Sequence, residues 1–374
     1  MRIEGDWLSR PATQAALRIA GEGALIVGGA VRNAIQGKPI NDVDIATPLP
    51  PQEVLARAAK AGVKAVPTGL DHGTVTLVID GTPFEVTTFR RDVETDGRHA
   101  TVAFAEDAAV DASRRDFTMN ALYARADGTV VDPLGGVEDA RAGRVRFVGD
   151  PDARITEDYL RILRFFRFHA IYGTGEPGQA GVAASARHAA KLDRLSAERI
   201  GAEMRKLLGA QTPAGTVAAM AGAGVLTPVL PGFDLDALRR LEAVERHHDL
   251  APHWPRRLAA LGGARDRLRL SKAEEAEVAR LRSAPEAEPH ALGHLLGADA
   301  ARDVLALRGT LDAQGLGELA LGAAARFPLS GRDLAGRIEP GPALGAELSR
   351  LRDLWIASRF TLDRDALLAE VGSA

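Results

Sequence analysis

Asp42, Val43 and Asp44 place two carboxylates at positions i and i+2. In an extended strand those two side chains share one face. Carboxylates that close repel one another unless a cation sits between them. Magnesium, held by carboxylates together with substrate phosphates, is the usual answer. An exposed acidic strand end is the plain alternative, but Val43 and Ile45 are apolar and would face a core. Upstream, Ala24–Asn33 reads ALIVGGAVRN: a strand, the pair Gly28-Gly29, then a helix start. A glycine pair lets a phosphate approach backbone N–H groups, and the helix dipole favours the anion. Arg32, one turn into that helix, could reach a triphosphate oxygen. Gly-Gly by itself is neither GxGxxG nor a P-loop and also fits a plain turn. Followed by Asp-x-Asp, it points to nucleotide phosphates. A third acid, Glu85, stands in FEVTTF (84–89), where Phe84 and Val86 would face the core and Glu85 away from it. Beside the Asp-x-Asp strand it would complete a trio suited to two-metal phosphoryl transfer; otherwise it lies on a solvated face.

The elements that must position these residues fall into two styles. From about residue 24 to 148, Ala24–Val27, Val43–Ala46, Gly73–Ile79 and Phe84–Phe89 are expected strands, the last two forming a hairpin across Asp80-Gly81-Thr82-Pro83. Pro51–Ala61 is an expected helix. From about residue 150 onward apolar residues recur at helical spacing, as in Leu160, Leu163 and Phe166. The expected fold class is therefore α+β: a head with a mixed sheet, followed by an all-helical neck, body and tail. The expected division is 1–148, 149–210 and 211–374. Gly173–Gly181 reads as a loop.

Bulk composition excludes several classes. The 374 residues carry a net charge of −3 and no cysteine, so disulfides, zinc–thiolate sites and thiol chemistry are out. Any nucleic-acid site must be a local basic patch. Residues 151–210 supply one, with ten Lys+Arg against seven Asp+Glu, a net of +3. Met1–Arg10 has no apolar run of the signal-peptide kind, and no stretch is long and apolar enough for a membrane span. The expectation is a cytoplasmic protein without a membrane partner.

In order along the chain stand GGAVRN (28–33), DVDIAT (42–47), FEVTTFRRD (84–92), DGRH (96–99), RRDFTMNALY (114–123), DPLGG (132–136), EDYLRILRFFRF (157–168) and SAERIGAEM (196–204). Together they resemble the DNA polymerase β-like nucleotidyltransferases. More narrowly, the match is to the class II tRNA nucleotidyltransferase and bacterial poly(A) polymerase family. The resemblance spans about residues 24–208. Two departures are visible: Asn33 stands where the family usually has Asp, and Tyr159 where Pro or Ala is more familiar.

The resemblance implies a polymerase β-like head, template-independent addition of CCA to tRNA 3′ ends from CTP and ATP, and Mg2+ as cofactor. It assigns Gly28, Gly29 and Arg32 to the triphosphate, Asp42 and Asp44 to magnesium, and Glu85 to the third acid. Arg115 would contact the nucleotide, Asp158 and Arg161 would read the base, and Arg164 and Arg167 would lie near phosphates. The base-reading pair makes chemical sense. Cytosine and adenine both present an amino donor beside a ring-nitrogen acceptor, which an Asp acceptor beside an Arg donor can match. Uracil and guanine present the reverse and would leave buried groups unpaired, at roughly 1–3 kcal/mol each. Asp158 and Arg161 are three apart and are expected to share a helix face; a bare surface ion pair is the competing reading.

The polar stretch Arg90–His99 looks like the family's flexible loop. His247-His248-Asp249 reads as helix-surface polarity rather than a metal phosphohydrolase site, and His72 as a turn residue. The tail is expected to dock the tRNA through shape and phosphate contacts. The same motifs would also serve a poly(A) polymerase or a partial CC- or A-adding enzyme. A non-catalytic RNA-binding relative would not need an acidic metal-binding pair.

Overall fold

The computed structural model describes residues 1–70, 73–96, 99–105 and 107–372. The chain forms two compact units, Met1–Pro231 with Ala264–Arg269, and Gly232–Gly263 with Leu270–Ala374.

The first unit opens with helices α1 (Asp6–Ser9) and α2 (Pro11–Ala20), strand β1 (Leu25–Val27) and helix α3 (Gly29–Gln36). Then follow β2 (Asp44–Thr47), α4 (Pro51–Lys60), β3 (Lys64–Gly69), β4 (Thr74–Ile79) and β5 (Thr82–Thr88). A two-stranded ribbon, β6 (Arg90–Asp96) with β7 (His99–Phe104), precedes α5 (Ala108–Ser113), β8 (Tyr123–Ala124) and β9 (Val130–Val131). Helices α6 (Gly136–Ala142), α7 (Pro151–Glu157), α8 (Leu160–Tyr172), α9 (Gln179–His188), α10 (Ala197–Leu208) and α11 (Ala214–Gly222) complete it.

Seven strands form a mixed sheet in the order β3-β4-β5-β2-β1-β8-β9. β1 runs antiparallel to β2 and β8, whereas β2 runs parallel to β5. The β4–β5 hairpin turns on Asp80 and Gly81 alone, both at positive φ (50° and 77°). That pair suits a two-residue hairpin turn, so Thr82 and Pro83 join the strand instead of the connection. β3 was not foreseen: its side chains are mostly exposed, and without burial on one face there is no alternation to read. The Arg90–His99 stretch, expected as a loop, runs instead into the β6–β7 ribbon. Gly97 and Arg98 of the DGRH motif, and His72, lie outside the described residues.

The head core joins Leu25, Val27, Ala46, Phe89, Ala112, Ala121, Tyr123 and Val148. α8 is apolar around most of its circumference, burying Ile162, Leu163, Phe165, Phe166 and Phe168. Phe117, between α5 and β8, packs its ring at a tilt with centroids 4.9 Å from Phe168 and 5.0 Å from Phe147. This aromatic packing holds α8 against the segments that flank the sheet.

The second unit is helical: α12 (Leu235–His247), α13 (Trp254–Leu261), α14 (Lys272–Arg282), α15 (Pro289–Leu296), α16 (Ala298–Arg308), α17 (Ala313–Ala324), α18 (Pro342–Ala357) and α19 (Arg364–Ala369). α15 and α17 touch backbone to backbone, because a Cβ on Gly322 would lie 1.8 Å from the His290 carbonyl oxygen. Glu245 accepts from both Arg256 and Arg257 in the interior, and Asp303 also accepts from Arg256. Among the described residues no helix is long and apolar enough to cross a membrane.

Candidate functional site

The site begins where β1 ends. Gly28 takes φ 69°, ψ −113°, a conformation closed to side-chain-bearing residues at low cost, and α3 starts at the next residue. Its N–H donates to the Leu122 carbonyl at 2.9 Å. A Cβ here would stand 3.6 Å from the Asn120 carbonyl oxygen and 3.7 Å from Nη1 of Arg115. The turn therefore lies directly beside Arg115.

Asp44 is the register partner of Val27, so it sits next to that turn. Ile45 pairs with Val86 in the parallel β2–β5 ladder, which puts Asp44 and Glu85 at matching positions one residue earlier. Ile45 and Val86 are buried while Asp44 and Glu85 are exposed, the alternation expected of half-buried strands. Asp42 lies just ahead of β2, outside the strand, and is exposed. Val43 is only half buried, so the core-facing role expected for it belongs to Ile45 alone. Although its side chain reaches solvent, the Asp44 carboxyl is crowded by surrounding protein, and that loss of water first, then the charges of Glu85 and Asp42, push it up to about 6 against an opposing pull from Arg115. The three acids thus act on one another across a shared space.

Among the described residues no three acidic or histidine side chains are gathered into a ready metal cage. The donor set fits a hard divalent ion nonetheless. Mg2+ takes one or two carboxylates and completes its shell with phosphate oxygens and water.

Arg115 is fixed from behind. Asp111, 1% exposed, accepts from its Nε at 3.1 Å and its Nη2 at 2.8 Å, from Arg114 at 2.6 Å and from the Tyr123 hydroxyl at 2.8 Å. Burial works to raise the Asp111 carboxyl, but Arg115, Arg114 and Tyr123 outweigh it and hold it at about 2.

Arg32 is 5% exposed. Asn33 Oδ1 accepts from its Nε at 3.2 Å and its Nη2 at 2.9 Å, and Asn120 Oδ1 accepts from Nη1. Asn33, a departure from the family pattern, thus braces Arg32. Asn120 in turn donates to Asp116 at 3.1 Å, and Asp116 accepts from Nε of Arg164 at 2.8 Å and from its Nη2. A continuous polar chain runs from the helix of the glycine turn to α8.

Asp158 and Arg161 do not share a helix face. Asp158 is extended (φ −155°, ψ 107°) at the break between α7 and α8, and its Oδ1 accepts from the Leu160 N–H at 3.1 Å. This short polar side chain bonds forward to the backbone and so ends one helix and begins the next. Its Oδ2 accepts from Arg199 at 2.6 Å. Arg161 donates to the Arg154 carbonyl at 2.7 Å and to Glu157. Arg154 also reaches the carbonyl of Arg115 at 2.8 Å. Arg167 makes an ion pair with Glu203 at 2.6 Å, off the hydrogen-bonding direction. The supporting residues Asp111, Asp116, Asn120, Arg199 and Glu203 were not singled out in the sequence. Four of them lie inside the RRDFTMNALY and SAERIGAEM runs, which was the available signal.

Comparison with known proteins agrees with this architecture. A family model described as the Poly A polymerase head domain matches residues 24–146, and one described as a probable RNA and SrmB-binding site of polymerase A matches residues 181–236. The mitochondrial CCA tRNA nucleotidyltransferase 1 of Danio rerio is 34% identical over 378 residues, covering 93% of this chain and 87% of that protein. The chain belongs to the CCA-adding tRNA nucleotidyltransferase family. A CCA-adding enzyme of Geobacillus thermodenitrificans is 42% identical over 212 residues, 56% of this chain and 51% of that one. The crystal structure of the Bacillus stearothermophilus CCA-adding enzyme in complex with CTP superposes with a TM-score of 0.72 at 27% identity, covering 93% of this chain and 94% of that one. For a tRNA nucleotidyltransferase, the head sheet is the frame that brings Asp44 and Glu85 beside the glycine turn.

Proposed function

We propose that this chain completes tRNA 3′ ends with CCA, joining nucleotides from CTP and ATP and releasing pyrophosphate. The observation that supports the reading is that Asp44 and Glu85 stand level in the parallel β2–β5 ladder, with Asp44 beside the Gly28 turn and that turn beside Arg115. Asp42 and Asp44 would hold Mg2+, which supplies neutralisation of the triphosphate and activation of the RNA 3′-hydroxyl. Glu85, the third acid, either shares in ligation or takes the hydroxyl proton. The Gly28-Gly29 turn and the start of α3 receive the triphosphate, the Gly28 N–H being already bonded to Leu122, and Arg32, Arg115, Arg164 and Arg167 surround it with positive charge. Asp158 offers an acceptor and Arg161 a donor to the base, each steadied by its own partner, Arg199 or Glu157. One protein pocket would therefore accept CTP and ATP and disfavour UTP and GTP.

The working division is a catalytic head (1–148), a helical neck that binds base and RNA (149–210), and a helical body and tail for tRNA docking (211–374). We assign the reaction to the cytoplasm; the mitochondrial names of vertebrate relatives offer the other compartment, and fractionation of the native host decides between them.

The test is extension of one tRNA transcript made with three ends: no CCA, ending in C, and ending in CC. Each is incubated with CTP, ATP or both and magnesium, beside Asp42→Ala. Two C and one A followed by arrest, with the variant inactive, is the expected result. Long A tails on unrelated RNA would reassign the chain to poly(A) polymerase, and no incorporation by the wild type would defeat the enzymatic reading.

A further inference from the structure

Four cations of the first unit converge on two aromatic rings. The Arg32 guanidinium carbon stands 3.6 Å from the Tyr172 ring centroid and 5.4 Å from that of Phe168. Lys38 Nζ stands 4.9 Å from Tyr172. Arg164 and Arg167 stand 5.5 and 4.6 Å from Phe168. The two rings meet at 5.3 Å, tilted by 49°. One contiguous aromatic surface at the end of α8 therefore serves cations from two separate parts of the chain.

Such a gathering opposes itself electrostatically. Burial first, and then the charge of Arg32, lowers the Lys38 ammonium. Burial lowers Arg32 and Arg167, with Arg167 and Arg164 respectively adding to the effect against opposing acids. Polar contacts hold their edges: Arg32 at Nε and Nη2 by Asn33 and at Nη1 by Asn120, Arg164 at Nε and Nη2 by Asp116, Arg167 by Glu203, and Lys38 by the Ile171 carbonyl. The neutral partners of Arg32 and Lys38 do nothing to offset the repulsion between neighbouring cations. The negative face of an aromatic ring does offset it, and more strongly where water is excluded. Phe168 is 4% exposed, so that condition is met. Nη1 of Arg164 has no protein partner among the described residues, and its side chain is 32% exposed, which leaves an outward-facing donor on the array.

We propose that Phe168 and Tyr172 are positioning residues whose rings hold Arg32, Lys38, Arg164 and Arg167 as one array for the triphosphate of the incoming nucleotide. The inference rests on the nucleotidyl-transfer reading above. Without the rings the cations keep their charge and lose the contact that holds them close together against their mutual repulsion. The triphosphate must then gather them as it binds, so the loss falls on nucleotide affinity and not on the chemical step.

The test compares Tyr172→Leu, Tyr172→Phe and Phe168→Leu in the full chain. KM for CTP and ATP is read from initial rates. Kd is read by calorimetry, without RNA, for a CTP analogue with a methylene bridge between the α and β phosphates. Tyr172→Leu is expected to raise KM and Kd roughly tenfold. Its kcat should stay within about twofold of wild type, the split that marks lost binding. Tyr172→Phe, which keeps the ring, restores both constants, and Phe168→Leu raises them further. Thermal unfolding is followed for each variant; because Phe168 is buried, the half-buried Tyr172 carries the test if Phe168→Leu does not fold. Wild-type KM and Kd in Tyr172→Leu, equal impairment in Tyr172→Phe, or a fall in kcat alone would overturn the proposal. A wild type that adds no nucleotide defeats the nucleotidyl-transfer reading instead, and analogue binding still decides the role of the rings.

Discussion

Asp111→Asn removes one negative charge from behind Arg115 while keeping the shape of the side chain. In the wild type this carboxyl is held at about 2, against 3.8 for a free aspartate, because Arg115, Arg114 and Tyr123 overcome the effect of burial. That depression corresponds to about 2 kcal/mol of native stability at pH 7. The sign follows from the direction of the shift. A depressed native carboxyl contributes fully above its unfolded value and loses that contribution as the pH falls through its native value. The difference between wild type and Asp111→Asn should therefore be constant from pH 7 to about pH 5, and shrink to about half by pH 3. Urea unfolding at those three pH values measures it. Asp111→Ala also strands two guanidinium groups and a buried hydroxyl, and should cost about 3–5 kcal/mol. Equal unfolding midpoints for wild type and Asp111→Asn at pH 7, or a difference that grows on acidification, would refute the reasoning. Extension assays give a second readout, because an untethered Arg115 should raise KM for both nucleotides.

Three further outcomes are expected. Arg199→Ala frees Asp158 from a charged hydrogen bond of 2.6 Å, and should lower kcat/KM for CTP and ATP by roughly tenfold while increasing UTP incorporation relative to CTP. Gly28→Val forces a β-branched residue into φ 69°, ψ −113° beside the Asn120 carbonyl; we expect about 1–3 kcal/mol lower stability by denaturant titration and a raised nucleotide KM. Glu245→Ala leaves Arg256 and Arg257, each 1% exposed, without their shared carboxylate, and should destabilise the second unit by about 3–5 kcal/mol in thermal unfolding. An unchanged transition for Glu245→Ala would mean that water reaches those guanidinium groups.

The polar chain from Arg32 through Asn120 and Asp116 to Arg164 gives the helix of the glycine turn a physical link to α8, the helix that follows Asp158. Arg154 adds a second link, bonding to the Arg115 carbonyl and to Glu157, the partner of Arg161. On the proposed assignment, base and phosphate recognition would rest on shared supports.

The local chemistry of the site was legible in the residues. A strand that alternates Asp44 with Ile45, or Glu85 with Val86, declares its two faces by period alone. The Gly28 turn and the Asp80-Gly81 hairpin are fixed by backbone conformations that favour those residues. What the sequence left open was pairing. The residues alone left Glu85 equally a site residue and a solvated one; the parallel β2–β5 register, which sets it level with Asp44, depends on strands far apart in the chain. The Asp158–Arg161 spacing suggested a shared face, yet the helix break at Asp158 and Tyr159 redirected both side chains. Asp158 went to Arg199, 41 positions away, and Arg161 to Glu157. Arg32 was expected only to reach a triphosphate oxygen from one turn into a helix, and tertiary packing buries it on a Tyr172 ring contributed by another helix. Backbone preference and side-chain period act over a few residues and can be read there. Which distant charge or ring meets a given side chain is decided only when the core packs, because burial makes each cation and carboxylate take a specific partner.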